Sequence, residues 1–256
     1  MATDLIIGSH SIVEALLNSE RSNKTLIGVE SSIKDLKKNY PQIKKIIESI
    51  EVEVVKSNHV FQQVAEKLYK ETGFKFSRVP GNILLSCSQI PYRSIGGLFD
   101  ELKQVKNKRV ICLDQVTDPQ NAAAVLRTAS FYGVDAVVIP GKSSSGFSPS
   151  FFRIASGAAE HVRVYAISNL SRFISRFNEL GGLSIGFSEH ASGDHNSEKY
   201  SGENTLLVLG NEEKGISNAV SRQVSQFISL KTQGNIKSLN VSVAAAVAME
   251  KFFGTN

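Results

Sequence analysis

Three short stretches of the sequence carry polar residues of the kinds that bind ligands or assist group transfer. The first, LDQVTDPQNAAAVLRTA, holds Asn121 and Arg127 in an otherwise apolar segment. The second, LVLGNEEKGIS, places Glu212 after an apolar run, and the third, ISLKTQGNIKSLNVSVAAAV, places Ser238 and Asn240 before one. Amides and hydroxyls can orient a substrate, and a guanidinium can bind an anion.

Arg127 stands in a predicted helix that is apolar on most sides. Asp118 and Pro119 form a turn signal before this helix, and Asn121 is a candidate N-cap. Such a helix is expected to be largely buried, and a buried guanidinium requires an anionic or carbonyl partner. The partner is either a carboxylate in a structural salt bridge or an anionic group of a ligand.

The loop that contains Glu212 excludes a nucleoside-triphosphate site. Gly210 and Gly215 have the separation of a phosphate-binding loop, but Ile216 and Ser217 replace the required Lys and Ser or Thr. The acidic side chains would also repel phosphate. The loop suits a cation or the arginine of the first stretch, and a solvated charged turn is the alternative.

Ser238 and Asn240 lie where a loop with glycine and lysine turns into an alanine-rich helix. The structural interpretation is a helix capped by Ser238. The functional interpretation is a cofactor site, since the asparagine side chain both donates and accepts hydrogen bonds. The alanines permit close helix packing, in the core or against a second subunit.

No metal site is predicted, because His190 and His195 match no metal-ligand spacing and lie in a segment typical of a surface loop. The sequence also lacks a dinucleotide-binding fingerprint and a nucleophile elbow.

The elements that must position the three stretches alternate regularly after residue 107. Six apolar runs predict strands and four segments predict helices. The strands are RVICLD, DAVVIP, VRVYAI, LSIGFS, TLLVLG and QFISL, and the helices are NAAAVLRTASFYG, SPSFFRIASGA, LSRFISRFNELGG and LNVSVAAAVAMEKFF. This alternation predicts an α/β fold with a parallel sheet covered on both faces. Such sheets bind ligands at the carboxyl ends of their strands.

The region before this alternation reads as a smaller α/β unit. Strand-like TLIGVE and VEVVKS flank a basic helical segment in residues 1–86, and QIPYRSIGG indicates a linker within residues 87–106. Residues 1–108 hold 16 Lys and Arg against 12 Asp and Glu, so they carry most of the net charge of +5. The excess favours a polyanion such as RNA as partner, although it is also ordinary for a soluble protein.

Membrane and secreted classes are not expected. No run approaches the roughly 18 apolar residues of a membrane span, and MATDLIIGSH lacks the basic segment of a secretory signal. Cys87 and Cys112 are predicted to be reduced structural thiols of a cytoplasmic protein.

In this order, the three stretches resemble the signature motifs of the SpoU/TrmH branch of the SPOUT RNA methyltransferases. GAAEHVRV resembles the segment between the first two motifs, and the resemblance covers about residues 109–253. It implies a SpoU/SPOUT methyltransferase domain over residues 107–256. Residues 1–86 are similar to the family's ribosomal-protein-L30e-like substrate-binding domain. The layout is most similar to bacterial enzymes that methylate a guanosine ribose 2′-hydroxyl in 23S rRNA.

The resemblance implies a deep trefoil knot, S-adenosylmethionine (SAM) bound in the knot, and an obligate homodimer. It also implies cofactor contacts, largely through backbone groups, at Gly210, Leu230 and Leu239. The family's catalytic arginine corresponds to Arg127. Its other polar motif residues correspond to Asn121, Glu212, Ser238 and Asn240.

The implied reaction moves a methyl group from a sulfonium to a ribose 2′-hydroxyl. Because a guanidinium stays protonated, Arg127 is expected to anchor a phosphate and stabilise the developing alkoxide, with Glu212 orienting it. A direct proton-abstracting role for Arg127 is the alternative. Ser238 and Asn240 are expected to position ribose or phosphate.

Two features depart from the family pattern. Ala123 replaces the usual glycine where the Arg127 side chain is expected to pass, and FSRVPGNILLS lacks the His-Gln-Gly of close relatives. A tRNA ribose methyltransferase and a non-catalytic RNA-binding paralogue are therefore the alternative functions. In the N-terminal part, a group of lysines is expected to hold RNA or to form only a solvated helix face: Lys37, Lys38, Lys44 and Lys45.

Overall fold

The computed structural model describes residues 3–90, 93–141, 147–188, 191, 203–230, 234–235 and 238–254. The contacts within the chain divide it into two units. The first comprises Met1–Pro91 and Ser145–Glu160, and the second comprises Tyr92–Ser144 and His161–Asn256. The described part of each unit is built on one β-sheet.

The first unit has a four-stranded mixed sheet. Its strands are β1 (Thr3–Ile7), β2 (Thr25–Val29), β3 (Glu51–Val55) and β4 (Ile83–Ser88). The strand order is β1-β4-β2-β3, with β2 parallel to β3 and β4 antiparallel to both β1 and β2. The helices are α1 (Ser9–Leu17), α2 (Glu30–Asn39), α3 (Lys44–Ser49), α4 (Asn58–Glu71) and, from the later segment, α7 (Pro149–Ala155). Short 3₁₀ turns occur at Pro41–Ile43, Pro80–Asn82 and Ala158–Glu160.

Helix α4 covers one face of this sheet because its apolar residues recur every four positions. Phe61, Ala65 and Tyr69 are buried and pack with Leu5 and Leu84 of the strands. Ser57 caps the helix by accepting a hydrogen bond from the Val60 amide.

A buried arginine fastens the later segment to the first strand of this unit. Arg21 Nη1 lies 2.5 Å from Asp4 Oδ2, and Arg21 Nη2 lies 2.7 Å from Glu160 Oε1. The Arg21 side chain is completely buried and also lies over the Phe152 ring. Burial raises the pKa of the Asp4 carboxyl, against the lowering influence of Arg21. One guanidinium therefore compensates two buried carboxylates from distant parts of the sequence.

The second unit is built on a six-stranded sheet in which all neighbouring strands are parallel. Its strands are β5 (Arg109–Leu113), β6 (Ala136–Pro140), β7 (Arg163–Ile167), β8 (Leu183–Phe187), β9 (Thr205–Leu209) and β10 (Gln226–Ile228), in the order β10-β8-β9-β5-β6-β7. The helices are α5 (Ile95–Gln104), α6 (Pro119–Phe131), α8 (Leu170–Glu179), α9 (Asn218–Ser221) and α10 (Val241–Phe253). The predicted α/β class, parallel sheet and six strand positions are confirmed.

Helices cover both faces of the central strands. Leu98 of α5 and Phe173 and Phe177 of α8 pack against strand residues such as Val208. All five residues of β9 are buried, and therefore its sequence does not alternate between apolar and polar residues. Helix α10 packs against α6 and β9. A hydrogen bond to Glu250 raises the pKa of the Tyr132 hydroxyl.

The predicted domain boundaries differ from this division in two places. Residues 87–106, predicted as a linker, contain the end of β4 and helix α5, because Ser94 caps a helix whose buried Leu98 and Leu102 share one face. Helix α7, assigned by sequence to residues 107–256, belongs to the first unit instead. Gly96 and Gly97 conceal α5 in the sequence, since glycine weakens the helix signal.

The cysteines have the structural character predicted for them. Cys87 and Cys112 are free and buried, and burial raises the pKa of the Cys87 thiol to about 12. Within the described ranges, no helix combines the length and the apolar composition that a bilayer crossing requires.

Replacing Arg21 by methionine should strongly destabilise the first unit. The substitution leaves the carboxylates of Asp4 and Glu160 buried without their cation, and the expected loss is about 3–5 kcal/mol in free energy of unfolding. Urea unfolding followed by circular dichroism measures it. The control is Lys34→Ala, which removes an exposed pair with Glu30 and should leave the midpoint unchanged. If the Arg21 and Lys34 variants unfolded at similar urea concentrations, the stabilising role assigned to Arg21 with Asp4 and Glu160 would be wrong.

Candidate active site

Strands β5 and β9 are neighbours whose chain continuations run in opposite directions along the sheet. The chain leaves β5 towards β6, whereas it leaves β9 towards β10 on the far side of β8. In an open parallel sheet this reversal opens a crevice at the carboxyl ends of the two strands. Leu113 pairs with Leu209 at these ends, so the loops that follow them start side by side.

The loop after β9, residues 210–217, is held in a tight turn by its own backbone. Asn211 and Gly215 exchange two backbone hydrogen bonds of 3.1 and 2.9 Å. A Cβ at Gly210 would lie 2.3 Å from the Gly215 carbonyl carbon, so only glycine fits there without displacing the loop. The Ser217 amide donates to Asp114 at 2.7 Å, which fastens the loop to the end of β5.

Glu212, at the tip of this loop, brings the three sequence motifs together. Its Oε1 accepts a hydrogen bond of 2.9 Å from Asn121 Nδ2. The same oxygen lies 3.4 Å from Asn240 Nδ2 and 3.4 Å from the Val241 amide. Asn240 Nδ2 also donates to Asn121 Oδ1 at 3.0 Å. The three side chains therefore close a hydrogen-bonded triangle, called the motif triangle below.

The caps of the two helices differ from those predicted. Asp118, not Asn121, caps α6 by accepting from the Gln120 amide, and Pro119 occupies the first helical position. Asn240, not Ser238, caps α10. The sequence does not reveal this choice, because Asp, Asn and Ser are all good N-cap residues. Since Asn121 does not cap its own helix, its side chain is available to the motif triangle.

Arg127 does not lie where the apolar helix pattern predicts. The residue is exposed, and within the described part of the chain it has no hydrogen bond or ion pair. Among the described residues, no hydrogen bond or ion pair joins Arg127 to Glu212, so the orienting role of Glu212 remains a prediction. Asn121 and Arg127 are six residues apart, which is about 9 Å along a helix and on a different face. In this structure Glu212 Oε1 is therefore bonded to Asn121 and not to Arg127.

The remaining predicted residues lie near the strand ends or outside the described ranges. Gly210 and Leu230 are half-buried at the ends of β9 and β10, and Ser238 and Leu239 are exposed before α10. Ala123 is fully buried in α6. His190 and His195 lie outside the described residues.

Sequence reasoning missed two residues that shape this site. Asp114 fastens the loop of Glu212 through the Ser217 amide. Ser242 donates its hydroxyl hydrogen to Asn240 Oδ1 at 2.6 Å. An acidic residue directly after a buried strand was the available signal for Asp114. Ser242 lies in the third stretch, but it was not selected as a site residue, because serine is ordinary in the first turn of a helix.

The fold and this arrangement define a parallel α/β protein with a polar site at the switch point of its sheet. Comparison with known protein families makes the class specific, because residues 108–250 match the model of the SpoU rRNA Methylase family. The match covers more than half of the chain. The chain belongs to this family of RNA methyltransferases.

Individual relatives agree with this assignment. The chain is 28% identical, over 265 residues, to a Staphylococcus epidermidis protein named for the TrmH family of tRNA/rRNA methyltransferases, covering 97% of this chain and 94% of that protein. The fold of the present chain is similar to that of a solved RNA 2′-O ribose methyltransferase. The TM-score is 0.71 and the identity 19%, over 98% of this chain and 88% of the other. The fold is also similar to that of the SpoU methyltransferase AviRb from Streptomyces viridochromogenes in complex with AdoMet, with a TM-score of 0.72 and 18% identity, over 98% and 89%.

Substitution of Gly210 by alanine should disrupt the loop of Glu212. The added methyl group would overlap the Gly215 backbone, and the expected cost is about 1–3 kcal/mol in free energy of unfolding. Hydrogen–deuterium exchange of residues 210–217 should rise. Gly97→Ala is the matched control, because a Cβ at Gly97 meets nothing within 4 Å. Unchanged exchange in the Gly210 variant would show that the loop accommodates a side chain.

Proposed function

We propose that this protein transfers a methyl group from SAM to a ribose 2′-hydroxyl in RNA, and that its target is a guanosine of 23S rRNA. The motif triangle of Asn121, Glu212 and Asn240 carries the proposal, because it joins all three family motifs at the switch point between β5 and β9. The names of the two similar structures support the cofactor and the reaction.

The residues at this edge of the sheet fit SAM. Leu239 is 47% exposed and Leu230 is half-buried, so both have apolar surface available to an adenine ring. Together with Gly210 they would hold the cofactor. SAM supplies a methyl group on a cationic sulfonium, and the carboxylate of Glu212 supplies compensating negative charge at the same edge.

Arg127 would bind the RNA. Its guanidinium is exposed, and no group among the described residues neutralises it, so it is available to a phosphate. A guanidinium remains protonated at neutral pH and is therefore not suited to remove the hydroxyl proton. We assign Arg127 to anchoring a phosphate and stabilising the negative charge that develops on the 2′-oxygen.

The motif triangle would align the ribose. Asn121 and Asn240 hold each other and Glu212, so their amides are fixed before the substrate arrives. Glu212 Oε1 takes the hydrogen bonds described above, and Oε2 has no partner among the described residues. That oxygen can accept a hydrogen bond from a ribose hydroxyl, and the exposed Ser238 can contribute another contact. Such alignment supplies much of the rate enhancement in a transfer between two bound groups.

We also propose that the second unit contains a deep trefoil knot. Strand β10 lies at the edge of the sheet beside β8, whereas α10, which follows it, packs against α6 and β9 near the centre. Helix α10 thus begins beside the loop after β9, where the Val241 amide lies 3.4 Å from Glu212 Oε1. These positions support a knot, which the resemblance to the family implies.

The first unit is proposed to be an L30e-like RNA-binding domain. Its mixed sheet is flanked by helices, and the end of α2 and the start of α3 carry Lys37, Lys38, Lys44 and Lys45. Within the described residues these lysines form no ion pairs, in contrast to Lys34, which pairs with Glu30. Two of them occupy the first turn of α3, where a helix disfavours cations. Their positions therefore favour a polyanionic partner.

A homodimer is proposed through α6 and α10. These helices pack together, yet Phe131 is 81% exposed and Val243 is 48% exposed. Exposed apolar side chains of this size on adjoining helices are typical of interfaces. Arg127 lies one helical turn before Phe131, so a second copy seated on this face would border the site.

The proposed reaction is tested by incubating the protein with radiolabelled SAM and with 23S rRNA or bulk tRNA, each lacking its native modifications. We expect label in 2′-O-methylguanosine of 23S rRNA after nuclease digestion. Arg127→Ala should lower kcat about 100-fold or more, the usual effect of losing a charge-stabilising group. Arg172→Ala, which removes an exposed arginine of α8, is the control and should keep normal activity.

Each outcome of this assay leads to one conclusion. Label in tRNA would retain the reaction and replace the target. SAM binding without transfer to any RNA would contradict the reaction and favour a non-catalytic paralogue. A fully active Arg127 variant would retain the reaction and remove the role given to Arg127.

The dimer is tested by replacing Phe131 with serine. Loss of the exposed ring should shift the protein towards monomer in sedimentation-velocity experiments, because a buried aromatic side chain contributes strongly to an interface. Val54→Ser, which changes an exposed apolar residue of β3 in the first unit, should leave the oligomeric state unchanged. A wild-type monomer, or an undisturbed dimer in the Phe131 variant, would contradict this interface.

A further inference from the structure

Ser242 lies at the second position of α10 and contacts the cap residue of that helix twice. Its backbone amide donates to Asn240 Oδ1 at 2.9 Å, which is the ordinary N-cap hydrogen bond. Its hydroxyl lies 2.6 Å from the same oxygen. A cap requires only the amide, so the hydroxyl is a second donor beyond what the helix needs.

These two contacts determine which way the Asn240 carboxamide faces. The Ser242 amide can only donate, so Asn240 Oδ1 faces it, and the hydroxyl adds a second donor that restrains the same oxygen. The Asn240 amide nitrogen therefore lies on the opposite side. There it donates to Asn121 Oδ1 at 3.0 Å. The reversed carboxamide would place its NH₂ group against the Ser242 amide, donor against donor.

The orientation of Asn240 in turn determines that of Asn121. Because Asn121 Oδ1 accepts from Asn240, its Nδ2 is left to donate to Glu212 Oε1 at 2.9 Å. The donors thus run in one direction, from Ser242 through Asn240 and Asn121 to the carboxylate. Three of the four residues belong to the proposed substrate site, and Ser242 is at the far end from the carboxylate.

We infer that Ser242 is a positioning residue for methyl transfer: its hydroxyl holds the carboxamides of Asn240 and Asn121 in the orientation that the substrate ribose requires. This inference rests on the proposed function. The hydroxyl acts through Asn240 and does not itself touch the reacting atoms. A hydrogen-bond donor that fixes a neighbouring group contributes to catalysis by reducing the fraction of misaligned complexes.

A purely structural role for the hydroxyl predicts a different result. The hydrogen bonds between Ser242 and Asn240 are exposed to solvent in the chain. Water can therefore replace the lost donor in the free protein, and removal of the hydroxyl should hardly change the thermal midpoint. If the hydroxyl had a structural role, Ser242→Ala would lower the thermal midpoint and leave kcat unchanged. If the hydroxyl positions Asn240, Ser242→Ala lowers kcat and leaves the thermal midpoint unchanged.

The test compares the full chain with three variants: Ser242→Ala, Ser242→Thr and the control Ser130→Ala, which removes a half-buried hydroxyl from α6. With the RNA that the wild type methylates, Ser242→Ala should lower kcat about five- to tenfold, the effect of one lost hydrogen bond. KM for SAM and for RNA should stay within twofold of wild type. Ser242→Thr retains the hydroxyl and should restore kcat, and Ser130→Ala should match the wild type.

A second readout asks whether Ser242 acts through Asn240. In an Asn240→Ala background, Ser242→Ala should reduce kcat no further, because the group that it positions is gone. The inference is overturned if Ser242→Ala keeps wild-type kcat, if Ser242→Thr is as slow as Ser242→Ala, or if the two losses multiply. The proposed function fails separately, when the wild type binds SAM and methylates no RNA.

Discussion

Parallel pairing of β5 with β9 is the constraint on which the site depends. The two strands match over five residues, from Arg109 with Thr205 to Leu113 with Leu209, and their side chains are almost all buried. A slip of one residue would move one loop by about 3.3 Å relative to the other and turn the buried side chains to the wrong face. The hydrogen bond of 2.9 Å between Asn121 and Glu212 would not survive that slip. Burial of the strands thus secures a polar contact that is itself exposed and individually weak.

The sheet could be predicted from the sequence, because its strands are short runs of apolar residues separated by helices with clear periodicity. Two elements were harder to place. Helix α5 begins with a serine and two glycines that read as a linker, and its two buried leucines became informative only with the strands in place. The residues of α7 show only the pattern of an amphipathic helix. The sequence near Glu160, which follows α7, does not indicate that this carboxylate pairs with Arg21. Such pairings depend on tertiary contacts, which periodicity does not report.

The residue types of the site were also predictable, but their partners were not. Asn121, Glu212 and Asn240 were selected by their motifs, and the structure brings them together. Arg127 was expected to be buried, because the helix around it is apolar, yet the apolar face that surrounds it is itself exposed at Phe131. Apolar residues in a sequence mark surfaces that are buried either in the protein core or in an interface with another molecule. The two kinds of surface have similar hydropathy. The sequence therefore could not decide between a buried arginine and one available to a ligand.

The docking of α7 and Glu160 in the first unit has a consequence for biosynthesis. The ribosome completes residues 1–91 well before the segment that compensates Arg21 emerges, a gap of roughly 70 residues, or about 4 to 14 seconds at ordinary rates of synthesis. During that interval Arg21 has Asp4 as its carboxylate partner and the Ser88 carbonyl as a second acceptor, while Glu160 and the Phe152 ring have not yet been synthesised. The N-terminal unit therefore completes its fold only after part of the second sheet has been translated. The order of the chain thus delays completion of the first unit until Ser145–Glu160 have been synthesised, before the larger part of the second unit exists.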